Sequence, residues 1–170
     1  MRALKFFLPV LAAFALAGCA SYHLGPVMED KAGDKSVEVL PFNNQTLQPR
    51  LGDALTQALR QRLQVDATYH LATHGDGDII VTGVIRHYQR IGLGYSSTDS
   101  VTPENYRIEV IVHVIARERS SGKAIIDRDV KGHTLVNIGT DLASAERQVL
   151  PLISEDLAQN ITELLTEGAW

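Results

Sequence analysis

The chain has 170 residues, 45% hydrophobic and 21% charged, which is ordinary globular usage and enough for one domain. Sixteen Lys and Arg against twenty Asp and Glu give a net charge of −4, and two of the bases, Arg2 and Lys5, stand in an acid-free leader. The remainder is more acidic still, which removes the basic footprint that nucleic acid demands, and a single cysteine excludes a disulfide framework or a multi-thiolate metal cage.

Met1 to Lys5 is short and positive, and Phe6 to Ala17 is an apolar run too brief to span a bilayer comfortably. This is the layout of an export signal. Leu16-Ala17-Gly18-Cys19 resembles a bacterial lipobox and contains the chain's one cysteine. The resemblance implies cleavage before Cys19, a diacylglycerol thioether on its sulfur and an acyl group on its freed amine. Several chains, each contributing about 0.8 kcal/mol per buried methylene, hold a protein stably at a membrane. Ala20 follows where an inner-membrane retention signal carries aspartate, so the anchored protein is expected on the periplasmic side of the outer membrane. The predicted division is a signal peptide over 1–18, a lipidated tether over 19–35 and one domain over 36–170.

Ser36 to Phe42 alternates apolar and polar residues and ends at Asn43-Asn44, which predicts a strand with Pro41 near its end. From Pro49 to Gln64, residues Leu51, Ala54, Leu55, Ala58, Leu59 and Leu63 form the stripe of an amphipathic helix, with Pro49 suited to its first turn. Tyr69 to Ala72 is a weaker strand, closed by the turn Gly75-Asp76-Gly77-Asp78. Ile79 to Ile91 reads as a strand with Ile79, Val81, Gly83 and Ile85 on one side, and Ile80, Thr82, Val84, Arg86, Tyr88 and Arg90 on the other. A polar loop over Gly92 to Glu104 leads to a clearer strand, Tyr106 to Arg119, and the turn Ser120 to Lys123 leads to another, Ala124 to Gly132. A helix over Thr140 to Glu167, capped by Thr140 or Asp141, is expected to kink or divide at Pro151. The order predicts an α+β fold: two helices packed on one face of a mostly antiparallel four- to five-stranded sheet, the other face uncovered.

No catalytic constellation emerges, and the protein is expected not to be an enzyme. His70, His74, Asp76 and Asp78 can be drawn as a metal site, but zinc ligands stand in tighter pairs, and a polar turn explains them. Gly92-Leu93-Gly94 opens no helix and so is no phosphate loop. His113 alternates with charged residues and is a polar-face side chain. Neither a metal nor a dissociable cofactor is expected.

Several stretches together resemble the LptE family. They are Cys19 with Tyr22-His23-Leu24, the strand Val37 to Phe42, the helix Leu51 to Leu59, Ile80 to Ile85 with Tyr88, Tyr106 to Ala116, Ser121-Gly122-Lys123 and the closing Leu165 to Trp170. The resemblance implies an outer-membrane lipoprotein that plugs the LptD β-barrel, helps it assemble and contacts lipopolysaccharide. It also implies two helices on a four-stranded sheet. Unlike family members with a basic residue before the last helix, Asn137 to Thr140 carry no charge.

Strand parity gives a candidate anion site of its own. In an antiparallel meander, Arg86, Arg90, Arg107 and Lys131 fall toward one edge of the polar face, where cations can bind a glycolipid phosphate. The bland alternative is a solvated face with Asp129 and Glu109 as partners. A second functional class, a curli-secretion or synthase-activator lipoprotein acting by protein binding, shares the Val-x-Val-Leu-Pro-Phe-Asn strand and the following helix. Such proteins normally extend farther than this chain does.

Overall fold

The computed structural model describes residues 35–95, 103–137 and 142–167. The leader, Cys19, the tether to Asp34, Tyr22-His23-Leu24, the helix-cap candidates Thr140 and Asp141, and Gly168 to Trp170 lie outside the described residues. Strand β1 is Ser36–Val39 and β2 is Asn43–Asn44; helix α1 is Leu51–Asp66; β3 is His70–Ala72, β4 Ile79–Tyr95, β5 Pro103–Glu118 and β6 Ala124–Asn137; helix α2 is Leu142–Glu167.

The strands form one mixed sheet in the order β3-β1-β4-β5-β6, with β2 adding to β4 beyond the end of β1. It has six strands rather than four or five. β1 runs parallel to both β3 and β4, because α1 carries the chain back before either strand begins, whereas β4, β5 and β6 form the expected antiparallel meander. Both ends of the stretch read as a loop after Ile91 are strand: β4 continues to Tyr95 and β5 begins at Pro103, with Leu93 paired to Asn105. Cross-strand pairing there outweighs the loop composition of Gly92 and Gly94.

Both helices lie on one face, α1 toward β1, β2 and β3, and α2 over β5 and β6, and they pack against each other. Leu51, Leu55, Leu59 and Leu63 of α1 meet Ile153, Leu157, Ile161 and Leu165 of α2 and Val110, Val112 and Val114 of β5 in a single core. Burying each leucine side chain contributes about 1.5–3 kcal/mol. Thr56 joins the start of α1 to the sheet, accepting the Phe42 amide at 3.0 Å and donating to the Gly52 carbonyl at 2.7 Å. Pro49 lies ahead of the helix rather than in its first turn, the N-cap being Arg50 in a left-handed conformation. Pro151 sits on the exposed side of a continuous α2, so the helix is not divided there. At the edge of the sheet, Asp156 accepts the His133 amide at 2.8 Å and Asn160 donates to the Lys131 carbonyl at 3.0 Å.

One irregularity changes the reading of the faces. Between Ile85 and His87 the β4–β5 register shifts, leaving Arg86 as the extra residue of a bulge. Beyond it, His87 stands opposite Ile111 and Gln89 opposite Glu109 on the uncovered face, while Tyr88 faces Val110 and Arg90 faces Ile108 on the helix side. The expected grouping of Tyr88 and Arg90 with Ile80 is therefore incorrect, because one inserted residue inverts the alternation of everything after it.

Candidate functional site

The four predicted cations do not form one cluster. Lys131 pairs with Ile111, which pairs with His87, so Lys131 and His87 share a level of the open face. Arg107 lies four residues farther along β5, about 13 Å away at the rise of a strand, flanked by the exposed Ile91 and Leu135. Arg90 is on the other face. What the fold does bring together is Arg86 and Arg90.

They meet where β4 loses its strand neighbour. The Gln45 amide donates to the Ile85 carbonyl at 3.0 Å, and no described strand pairs with β4 on that side beyond this bond. Here Gln45, Thr46, Leu47 and Gln48, from the loop between β2 and α1, face Arg86, His87, Tyr88 and Arg90 across an open cavity of about 500 Å³. Among the described residues lining it there is no carboxylate. The bulge produces this arrangement, since it places Arg86 and His87 consecutively at the point where the strand edge becomes free.

The loop side of the cavity is held by its own hydrogen bonds. Asn44 Oδ1 accepts the Thr46 amide at 2.9 Å and the Thr46 hydroxyl at 2.7 Å, and Asn44 Nδ2 donates to the Gln48 carbonyl at 2.7 Å. These are the local side-chain to backbone bonds that make asparagine a turn former. The loop was not legible as part of a site, because Asn43-Asn44 signalled only the end of a strand.

On the open face Arg86 has the alternative partner Asp129, whereas Glu109 bonds a glutamine. Asp129 Oδ1 lies 3.3 Å from Arg86 Nη1 and 2.8 Å from His113 Nδ1, and Asp127 Oδ1 lies 3.2 Å from His113 Nε2. Glu109 accepts from Gln89 at 3.3 Å. Arg86 thus bridges two settings, an exposed ion pair and the cavity. Exposed pairs of this kind contribute about 0–1 kcal/mol and exchange readily for a stronger anion.

At the opposite end of the sheet Asp78 Oδ2 accepts both the amide and the hydroxyl of Ser36, each at 2.8 Å. These bonds, the amide first, hold its carboxyl below the usual aspartate range, with smaller help from Lys35 and Arg119. No group of three or more metal-ligating side chains occurs among the described residues, which include His70 and His74. No helix among them is long and apolar enough to cross a bilayer.

An α+β sandwich whose helices cover one sheet face is a fold this chain shares with solved bacterial lipoproteins. A minor lipoprotein from Acinetobacter baumannii is 14% identical, matched over 78% of this chain and 93% of its own with a TM-score of 0.52. The rare lipoprotein B from Shewanella oneidensis is 13% identical over 76% and 92%, with a TM-score of 0.50. The hypothetical protein CT253 from Chlamydia trachomatis is 12% identical over 79% and 96%, with a TM-score of 0.57. These likenesses show the fold. The chain belongs to the LptE family: the family model, described as lipopolysaccharide-assembly, matches residues 35–165. It is thus a lipoprotein of lipopolysaccharide assembly at the outer membrane, in a family that is non-enzymatic. No curated protein sequence matches it.

Proposed function

We propose that the protein is anchored through acylated Cys19 on the periplasmic side of the outer membrane, plugs and helps assemble an LptD-type β-barrel, and contacts lipopolysaccharide at the cavity between Arg86 and Arg90. The domain that does this begins at Ser36, after the tether. Family membership supports the assembly role. The observation that carries the site is the cavity itself, in which two guanidinium groups, His87 and two glutamine amides line a strand edge, with no carboxylate among the described lining residues. A glycolipid phosphate suits arginine, which can donate two parallel hydrogen bonds to it. Arg107 and Lys131, on the uncovered face, are the outlying cations of the same ligand path. That face also carries Ile80, Val84, Ile111 and Ile115, and it is the broad surface a plug offers to a barrel wall.

Lipopolysaccharide binding by the mature lipoprotein tests the site. Arg86→Gln with Arg90→Gln is expected to weaken it about tenfold, the value of one lost charge-assisted contact of about 1.5 kcal/mol, and more strongly at low salt. Arg107→Gln with Lys131→Gln should cost less. An equal or larger loss from the second pair moves the site to the open face. Affinity recovery from solubilised membranes tests the partner: a large β-barrel is expected, and recovery of a secretion ring or a peptidoglycan synthase instead overturns the plug reading.

A further inference from the structure

Leu47 is 102% exposed, more open to water than any other large apolar side chain among the described residues. It is not a loose end. It sits between Thr46 and Gln48 in the loop that Asn44 ties with three hydrogen bonds, and the Gln48 amide closes the turn on the Thr46 hydroxyl at 3.3 Å. A leucine held in water by an ordered turn exposes apolar surface at full hydration cost and loses little conformational entropy when something covers it.

What could cover it is indicated by its neighbours. Leu47 lines the same cavity as Arg86 and Arg90. A ligand with an anionic group on the guanidinium side and an alkyl chain leaving across the loop would satisfy both walls at once. A free phosphate or a phosphorylated sugar would satisfy only one, leaving the leucine in water. A protein partner would need an acidic side chain beside an apolar pocket in fixed geometry, whereas one alkyl phosphate carries both features in a single flexible molecule. We infer that Leu47 is a specificity-determining residue that makes this cavity select acylated phosphates over their unacylated counterparts. The inference rests on the reading of the cavity as the anion site, and goes beyond it by assigning the discrimination to one side chain.

The probes are methyl phosphate and n-octyl phosphate, the latter below its micelle concentration. They are titrated into the lipidated protein held in nanodiscs of zwitterionic phospholipid, with empty nanodiscs as the blank. Octyl phosphate is expected to bind about tenfold more tightly than methyl phosphate, the contribution of covering roughly half a leucine side chain. Leu47→Ser should reduce that ratio to about twofold, through weaker octyl phosphate binding; the position touches no core, so folding is not at issue. An undiminished ratio in Leu47→Ser overturns the inference while the cavity reading stands, as does equal binding of the two probes by the wild type. If Leu47→Ser keeps the ratio but loses the β-barrel on affinity recovery, the leucine serves a protein contact and the inference is overturned. Failure of both probes to bind the wild type overturns the cavity reading itself, and the inference with it.

Discussion

The ring of Phe42 lies so close to Gly83 that a Cβ at that glycine would stand 2.3 Å from Phe42 Cε1 and 3.0 Å from the His113 carbonyl oxygen. The same phenylalanine limits α1, where a Cβ on Gly52 would stand 2.6 Å from the Phe42 carbonyl oxygen. Phe42 is thus wedged between strand and helix by two residues without side chains. Gly83→Ala should destabilise the domain by about 1–3 kcal/mol, the range for overpacking a closed core. At Gly52, alanine gains about 1 kcal/mol of helix propensity, yet the contact is with backbone that cannot rotate away, so a net loss is expected there too. Thermal unfolding measures both, and an unchanged midpoint in Gly83→Ala would show that the ring can leave its slot.

Leu55→Asp and Val112→Asp should each unfold the domain. Both residues are 0% exposed, one on α1 and one on β5, and each variant places a carboxylate in the same core without a partner. An unpaired buried charge costs several kcal/mol, comparable with the whole stability of a domain. Circular dichroism at ambient temperature decides it, a native spectrum in either variant contradicting the placement of that face.

Asp78 predicts an acid-side dependence. Its folded-state carboxyl is held below the unfolded value by Ser36, so the stability it contributes is present above the ordinary aspartate range. That stability is lost as pH falls through the folded value, when the proton displaces the Ser36 bonds. Asp78→Asn should therefore show a shallower loss of melting temperature than wild type on acidification below pH 4, and the two profiles should run parallel at neutral pH. Parallel profiles throughout the acid range would remove Asp78 from the account.

Cys19→Ala should abolish incorporation of radiolabelled fatty acid and leave unprocessed or soluble precursor, since the thioether needs that sulfur. Labelling of the variant at wild-type level would place the anchor elsewhere.

The helix and strand order was legible because its signals are periodic: Leu51, Leu55, Leu59 and Leu63 repeat every four residues, and Val110, Val112 and Val114 alternate along β5. The positions of the cations were only half legible. Arg107 and Lys131 lie on the face their parity predicts, but nothing in the run Ile85-Arg86-His87 marks a bulge, which arises from pairing with β5 rather than from local preference. Arg60 illustrates another limit. Its pattern placed it on the wet side of α1, yet its Nη2 donates to the Val39 carbonyl at 2.7 Å, joining the helix to β1 through a side chain long enough to reach past its own face. Leu47 was invisible as a functional residue, since a lone leucine in a polar loop carries no period.

Asp156 and Asn160 give the edge strand β6 a property that concerns other molecules rather than its own fold. A strand arriving along β6, whether from a second copy or from a partly folded neighbour, finds the His133 amide and the Lys131 carbonyl already bonded to α2. A continuous ladder cannot form across that gap, and the helix body stands in its way. This gives the long meander a protected side. Strand-to-strand contact is thereby steered away from the middle of β6 and toward the free edge of β4, where the cavity opens.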